Sequence, residues 1–278
     1  MRKLFFLALT LMFVCSSAMA QQTPPNLQAL TFYYDYKVVP GKEEDFMTLI
    51  KTVGAPVRDK LLADGVVLAW GMETPILRYP GGTTHLIWFT VANYEGVEKV
   101  MNAMEAQQAK LAADEAKGPK GAMTTAQRIR ETIDATKTRD WLARDILAKF
   151  GNPPAAGLLP VTRYNFVKVK PGKAAEYRSA WEKFNKPTYD KLVADGVVLA
   201  YGLSTEAIKT DSDFTHFVWV GVANMAGFDK VAAAFDAANA NRTPAERSEI
   251  TGTFTSLTDP DMARSIVTKS RIFKVAGN

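Results

Sequence analysis

The chain has 278 residues, of which 47% are hydrophobic, so it is long enough to bury one large core or two small ones. Its 34 Lys and Arg residues are interspersed with 29 Asp and Glu residues, and without basic runs the sequence supports no nucleic-acid partner. The single cysteine, Cys15, lies in a leader segment, so the mature chain has no disulfide and depends on core packing.

Residues 1–20 have the three parts of a secretory signal peptide. Arg2 and Lys3 precede a short apolar stretch, and small residues end at Ala20. The apolar stretch is too short for a membrane span, so we expect cleavage after Ala20 and no membrane attachment afterwards. A lipid anchor on Cys15 is disfavoured because Val14 stands where that processing prefers a small residue. We expect a secreted, periplasmic protein, although the sequence does not distinguish periplasm from extracellular space.

An internal repeat organises the rest of the chain. DGVVLAWG at Asp64–Gly71 recurs as DGVVLAYG at Asp195–Gly202, within a longer alignment of Thr31–Ala106 on Thr162–Ala237 without a gap. A repeat of this length indicates two similar structural units. We therefore divide the chain into a signal peptide (1–20), a first unit (21–150), a Pro- and Gly-rich linker (151–160) and a second unit (161–278).

Each copy begins with a predicted strand, a helix and two further strands. The first strand is rich in Tyr, Val and Phe and ends at a Pro-Gly turn. The helical pattern that follows contains Pro56 in the first copy and Pro187 in the second, where we expect a kink or a restart. An Asp-Gly turn then leads into the short buried strand VVLAW or VVLAY. The next strand is THLIWFTVAN in the first copy and THFVWVGVAN in the second.

The remainder of each copy predicts a helix, a capped helix and room for a last strand. Thr124–Gln127 and Thr243–Glu246 both match a capping box. In the first copy, extra residues around Leu111–Ala122 predict a flexible loop. Leu142–Ile146 resembles Met262–Ile266, which aligns the ends of the two copies. The element order predicts an α+β fold of two tandem ferredoxin-like β-α-β-β-α-β units.

Two such units with a Pro-Gly turn after the first strand resemble the dimeric α+β barrel superfamily, which includes antibiotic-biosynthesis monooxygenase-like and NIPSNAP-like domains. The resemblance rests on element order and turn residues over nearly all of the mature chain. It implies an intrachain pseudo-dimeric α+β barrel, made here by a tandem fused pair. Whether that barrel forms a further homo-oligomer is left open.

The two histidines, His85 and His216, occupy equivalent repeat positions and are the candidate catalytic residues. His85 shares a strand face with Ile87 and Phe89. If that face lines the barrel interior, both imidazoles meet in one cavity and could act as acid-base groups or bind a ligand. The alternative, which we favour, is that each histidine bonds a neighbouring group within its own sheet.

Further candidate ligand-binding residues are repeat-equivalent pairs of aromatic, amide and cationic side chains. They are Trp70 and Tyr201, Trp88 and Trp219, Asn93 and Asn224, and Arg128 and Arg247. Aromatic residues commonly line small-molecule pockets, but they also fill cores, and the arginines also suit a solvated helix face. No metal-ligand spacing, nucleophile motif or dinucleotide fingerprint is present, so we expect no metal and no cofactor.

Three functions follow from these observations. The leading hypothesis is a binding protein for a small, largely apolar molecule held in a barrel pocket. The resemblance implies a second, a cofactor-free monooxygenase-like enzyme that uses His85 and His216. A structural or partner-binding role without a ligand is the third.

Overall fold

The computed structural model of the protein describes residues 29–78, 82–152, 157–210 and 213–276. The predicted signal peptide, with Cys15 and the cleavage position, lies outside the described residues, as do 153–156 of the predicted linker. None of the described helices is both long enough and apolar enough to cross a membrane.

The described residues form eight strands and eight α-helices. The strands are β1 (Leu30–Tyr36), β2 (Val67–Pro75), β3 (His85–Val91), β4 (Arg139–Phe150), β5 (Val161–Val169), β6 (Val198–Glu206), β7 (His216–Val222) and β8 (Thr258–Val275). The helices are α1 (Glu43–Leu49), α2 (Ala55–Ala63), α3 (Tyr94–Glu115), α4 (Thr125–Thr132), α5 (Ala174–Phe184), α6 (Lys186–Ala194), α7 (Ala226–Ala240) and α8 (Pro244–Leu257).

All eight strands form one closed antiparallel barrel in the order β1-β3-β2-β8-β5-β7-β6-β4. Strands from the first half of the chain occupy four adjacent positions, and strands from the second half occupy the other four. Two seams join the halves, β2 against β8 and β4 against β6. Because both seams are hydrogen-bonded, the barrel leaves no strand edge unpaired. The predicted α+β class and the barrel are therefore observed within a single chain.

The predicted turns and the proline restarts are confirmed. Gly65 and Gly196 have φ of +72° and +70°, the left-handed region that glycine enters without strain. Pro187 lies in the first turn of α6, directly after α5 ends. In the first half, α1 and α2 are joined by a π-helical segment, Ile50–Gly54. A Cβ at Gly54 would lie 2.5 Å from the buried Arg58 guanidinium, so a larger residue there would displace that group.

Both predicted capping boxes are present, because Thr124 and Thr243 each exchange hydrogen bonds with the residue three positions later. The loop predicted around Leu111–Ala122 is shorter than expected. Helix α3 continues to Glu115, whereas the equivalent helix α7 has 15 residues against 22 in α3. Part of the inserted segment extends the helix because its Ala, Lys and Glu residues favour helical backbone.

The strands are covered on both faces, as predicted. One set of strand side chains, which includes Trp70 and Phe89 in the first half, packs against helix side chains such as Val100 of α3. The other set packs inside the barrel and is largely aromatic; its buried members are Tyr33, Leu86, Trp141, Ala143, Tyr164, Phe166, Phe214 and Phe217. Successive residues of a strand point to opposite faces, so neighbours in sequence belong to different cores.

The alignment of the two last strands differs from the one predicted. Asp35 of β1 pairs with Arg139, while Phe166, at the equivalent repeat position of β5, pairs with Arg264. The structural counterpart of Arg264 is therefore Arg139, and the predicted match to Arg144 is wrong. Leu142–Ile146 and Met262–Ile266 have similar sequences but occupy different positions along β4 and β8. Both strands are long and contain register shifts at their seams.

Candidate ligand pocket at the barrel mouth

Polar groups inside the barrel are arranged around two equivalent tryptophans. The Trp88 indole donates to Glu73 at 3.1 Å, and the Trp219 indole donates to Ser204 at 3.1 Å. Glu73 and Ser204 occupy the same position in the two repeats. Ser204 donates in turn to Asp145 at 2.5 Å. Both buried carboxylates therefore come from the first half, Glu73 from β2 and Asp145 from β4.

Both interior carboxylates are buried and hydrogen-bonded. Glu73 also accepts hydrogen bonds from Tyr164 at 3.1 Å and from Thr268. Burial raises the pKa of Glu73, and the hydrogen bonds oppose that rise. Burial likewise raises the pKa of Asp145 to about 6, with Ser204 and Trp219 opposing it. With these partners in place, the carboxylates tie together strands from both halves of the barrel.

Beside this network, at one mouth of the barrel, lies a cavity of about 180 Å³. Its lining combines aromatic rings, apolar side chains and charged groups from strands and loops. The lining residues are Asp35, Pro75, Gly82, Thr83, Leu86, Lys137, Arg139, Trp141, Tyr164, Phe166, Phe214, Arg264, Ile266 and Thr268.

Aromatic rings form the walls of this pocket. Trp141 stacks on Tyr33 with ring centroids 3.9 Å apart and meets Phe214 edge-on at 5.4 Å. Phe166 lies 4.7 Å from Phe214. Because each ring is held by others in the interior core, the walls are preformed.

Charged groups form the rim. Asp35 accepts a hydrogen bond from the Trp141 indole at 3.2 Å, and burial raises its pKa to about 6 although Arg139 and Arg264 attract its charged form. Arg139 pairs with Glu206 at 3.4 Å. The Arg264 guanidinium lies 5.1 Å from the Phe166 ring centroid. The pocket therefore combines an apolar floor with ionisable groups at its opening.

The histidines do not lie in this pocket. His85 is buried beneath α1, with its ring 4.7 Å from that of Phe46, and His216 is buried beneath α5, 5.4 Å from Tyr177. Each ring also contacts the preceding threonine hydroxyl. Burial lowers the pKa of both imidazoles to about 4, so they are neutral at pH 7. The histidine face thus lies against the helices, and the condition for one shared cavity is not met.

Trp70 and Tyr201 are also beneath the helices. Both are fully buried, and they donate hydrogen bonds to Asp59 at 3.0 Å and Asp190 at 2.6 Å. Of the predicted aromatic pairs, Trp88 and Trp219 alone face the interior, although neither lines the pocket at the barrel mouth.

The predicted amides and arginines lie at helix ends. The Asn93 side chain caps α3 by accepting from the Gly96 amide at 3.0 Å, and the Asn224 carbonyl accepts from Gly227 before α7. Arg128 is held by Thr125 and by Glu115, which lies 3.5 Å away. Arg247 donates to backbone carbonyls at the end of α7. These partners stabilise helix termini and do not bring the four residues together.

The pocket residues were not predicted from the sequence, because the candidate site residues were those that occur in both repeats. Asp35 corresponds to Phe166, and Trp141 corresponds to Ile266, so the pocket lies where the copies differ. Asp35 could have been recognised from the sequence, because it is a carboxylate in a largely aromatic strand. Among the described residues, no group of three or more His, Cys, Asp and Glu side chains is placed to hold a metal ion.

The sequence matches no protein-family model and no curated protein. Among solved structures, a haem-binding protein from Thermus thermophilus is 11% identical, covers 88% of this chain and 92% of its own, and has a TM-score of 0.50. The residues described in this chain do not fit a haem. Both histidines are packed beneath helices, and the described pocket lining has no histidine, cysteine or methionine that could bind the iron. The tyrosine of the lining, Tyr164, already donates to Glu73.

Two other solved structures are more similar in shape. A candidate monooxygenase from Fusobacterium nucleatum is 13% identical, with a TM-score of 0.60 over 90% of this chain and 95% of that one. A candidate monooxygenase from Lactobacillus acidophilus is 11% identical, with a TM-score of 0.57 over 90% and 97%. At such low identity the comparisons show the fold alone: this chain folds as a closed α+β barrel similar in shape to these two structures.

Proposed function

We propose that this protein binds a small, largely apolar molecule in the pocket at the barrel mouth. The observation that carries the proposal is the cavity itself, about 180 Å³ and walled by Trp141, Phe166 and Phe214. Concave, preformed, mostly apolar sites with a few polar groups are typical of small-molecule binding. The aromatic walls supply contact area, and the rim supplies polar groups that orient the ligand.

The second candidate is a cofactor-free monooxygenase-like enzyme, and a specific group in the pocket supports it. Asp35 is half-buried beside the cavity with its pKa raised to about 6, which suits a general base near neutral pH. In this hypothesis the proton is accepted by Asp35 and not by His85 or His216. Both histidines are enclosed by packing and are unsuited to contact a ligand in the pocket.

The proposal extends to architecture and location. The strand order of each half supports two tandem ferredoxin-like units, with β4-β1-β3-β2 in the first and β8-β5-β7-β6 in the second. The leader in residues 1–20 supports secretion to the periplasm. Purification from that compartment would therefore recover the mature protein together with its ligand.

Native mass spectrometry tests the binding proposal. We expect the exported protein to carry an extra mass that is lost on denaturation. Ile266→Trp, which adds a ring inside the pocket, should abolish that mass. Ser265→Trp is the matched control, since Ser265 is exposed on the opposite face of the same strand. Equal ligand retention by both variants would contradict the assignment of the ligand to this pocket.

A further inference from the structure

We infer that the ligand is a small aromatic carboxylate, held with its ring between the pocket walls and its carboxylate at Arg264. This inference rests on the proposed function and specifies the ligand's size and charge. Three observations support it: the cavity volume, the ring-lined walls, and a guanidinium without a carboxylate partner at the opening.

The volume limits the ligand to about one ring. An apolar cavity of about 150 Å³ holds a benzene molecule. The pocket's 180 Å³ therefore accommodates one six-membered ring, and its opening leaves room for a small polar substituent. Trp141 and Phe214 meet nearly perpendicular, at 78°, so a ring that stacks on one presents its edge to the other. Such geometry favours a planar aromatic body.

The rim cations differ in what they already contact. Arg139 lies 3.4 Å from Glu206, and Lys137 lies 3.3 Å from Asp134. Arg264 forms no ion pair with any residue of the described part of the chain, and it lies over Phe166 at 5.1 Å and Phe214 at 6.0 Å from the ring centroids. A guanidinium that contacts aromatic rings and has no ion-pair partner retains N–H groups for a bidentate carboxylate.

Asp35 is the one carboxylate that lines the pocket, and its surroundings weaken it as a competitor for Arg264. Its hydrogen bond comes from the Trp141 indole, and no ion pair joins it to Arg264. Burial raises its pKa to about 6 and Asp140 repels its charged form, although Arg139 and Arg264 both attract that form. A ligand carboxylate at the opening can therefore bind Arg264 without displacing an existing ion pair.

Calorimetric titration of the mature, ligand-free protein tests the inference with three probes of the same size. They are benzoate, which is anionic, benzamide, which is neutral, and benzylamine, which is cationic. We expect benzoate to bind at least about tenfold more tightly than benzamide, the ratio that one charge-assisted hydrogen bond supplies. Arg264→Gln should remove that preference and leave benzamide binding unchanged. Arg178→Gln is the control, because Arg178 is exposed on α5 and pairs with Glu182.

The outcomes separate this inference from the function on which it rests. Equal affinity for benzoate and benzamide, or tighter binding of benzylamine, would overturn the anion assignment while the apolar pocket stands. A benzoate preference that survives in Arg264→Gln would overturn the role of Arg264. Failure of all three probes to bind, together with a native mass that lacks a ligand, would overturn the proposed function itself.

Discussion

Gly202→Ala should destabilise the protein because the Trp219 indole lies directly over this glycine. A Cβ at position 202 would be 2.5 Å from Cε2 and 2.6 Å from both Cζ2 and Nε1 of Trp219. Carbon atoms in packed interiors approach to about 3.5 Å, so the ring would have to move by about 1 Å. That movement also breaks the 3.1 Å hydrogen bond from the indole to Ser204.

The expected loss can be assembled from these two effects. Overpacking of an interior costs about 1–3 kcal/mol. The lost hydrogen bond adds about 1 kcal/mol. Replacing glycine by alanine restores about 0.4–1 kcal/mol by restricting the unfolded chain. We therefore expect Gly202→Ala to lower the free energy of unfolding by about 1–3.5 kcal/mol, a substantial part of the roughly 5–15 kcal/mol available to a protein.

Urea denaturation followed by far-ultraviolet circular dichroism measures this loss, with Gly221→Ala as the control. Gly221 lies in the adjacent strand β7, and the nearest atom to a Cβ there is the Ala200 carbonyl oxygen at 3.7 Å, an ordinary contact. The control should be as stable as the unmodified protein, or slightly more stable. If Gly202→Ala has the same midpoint as Gly221→Ala, the indole is not fixed over the glycine and the reasoning is refuted.

Three further predictions concern the buried ionisable groups. Glu73→Ala leaves several buried donors without an acceptor and should cost at least about 3 kcal/mol in thermal or urea unfolding, whereas Glu73→Gln, which keeps an acceptor, should cost less. The folded pKa of Asp145, about 6, lies above its unfolded value of 3.8, so its stabilising contribution is full below pH 4 and is lost as the pH rises through 6. Relative to Asp145→Asn, the native protein should gain about 2 kcal/mol between pH 7 and pH 4; parallel pH profiles would contradict this. The folded pKa of His85 and of His216, about 4, lies below 6.5, so their contribution is present above pH 6.5 and is lost as the pH falls through 4. The double variant His85→Gln, His216→Gln should therefore lose less stability than the native protein between pH 7 and pH 4, and an equal loss in both would refute the buried, neutral state of the imidazoles.

Local signals in the sequence were sufficient for most of the fold. Asp-Gly and Pro-Gly pairs, the prolines in the first turns of α2 and α6, and the two capping boxes each act through the backbone of a few neighbouring residues. Gly65 and Thr124 show this directly, because a positive φ and a capping hydrogen bond are required wherever the chain turns or starts a helix. The repeat then extended these local predictions to both halves.

The sequence could not indicate which strand face points inward, because both faces are apolar. His85, Ile87 and Phe89 form one face, and Leu86 and Trp88 form the other, and in a closed barrel beneath helices either could line the interior. The choice depends on how the helices pack on the sheet, a long-range property. The pocket was missed for a related reason: its asymmetry arises where β1 meets β4 and β5 meets β8, far apart in the chain.

The two seams of the barrel have a consequence for how the chain is assembled. Each half ends in two outer strands whose free backbone groups are satisfied by the other half, β2 by β8 and β6 by β4. A half produced alone would expose both edges, which is a hazard for aggregation. The covalent link through 151–160 places the complementary half at high local concentration, so each newly made edge meets its own partner before it meets another molecule. Tethering of this kind also leaves the two halves free to diverge, because an intrachain partner no longer has to be identical. The asymmetric pocket between Asp35 and Arg264 is a feature that two identical halves could have formed only in duplicate.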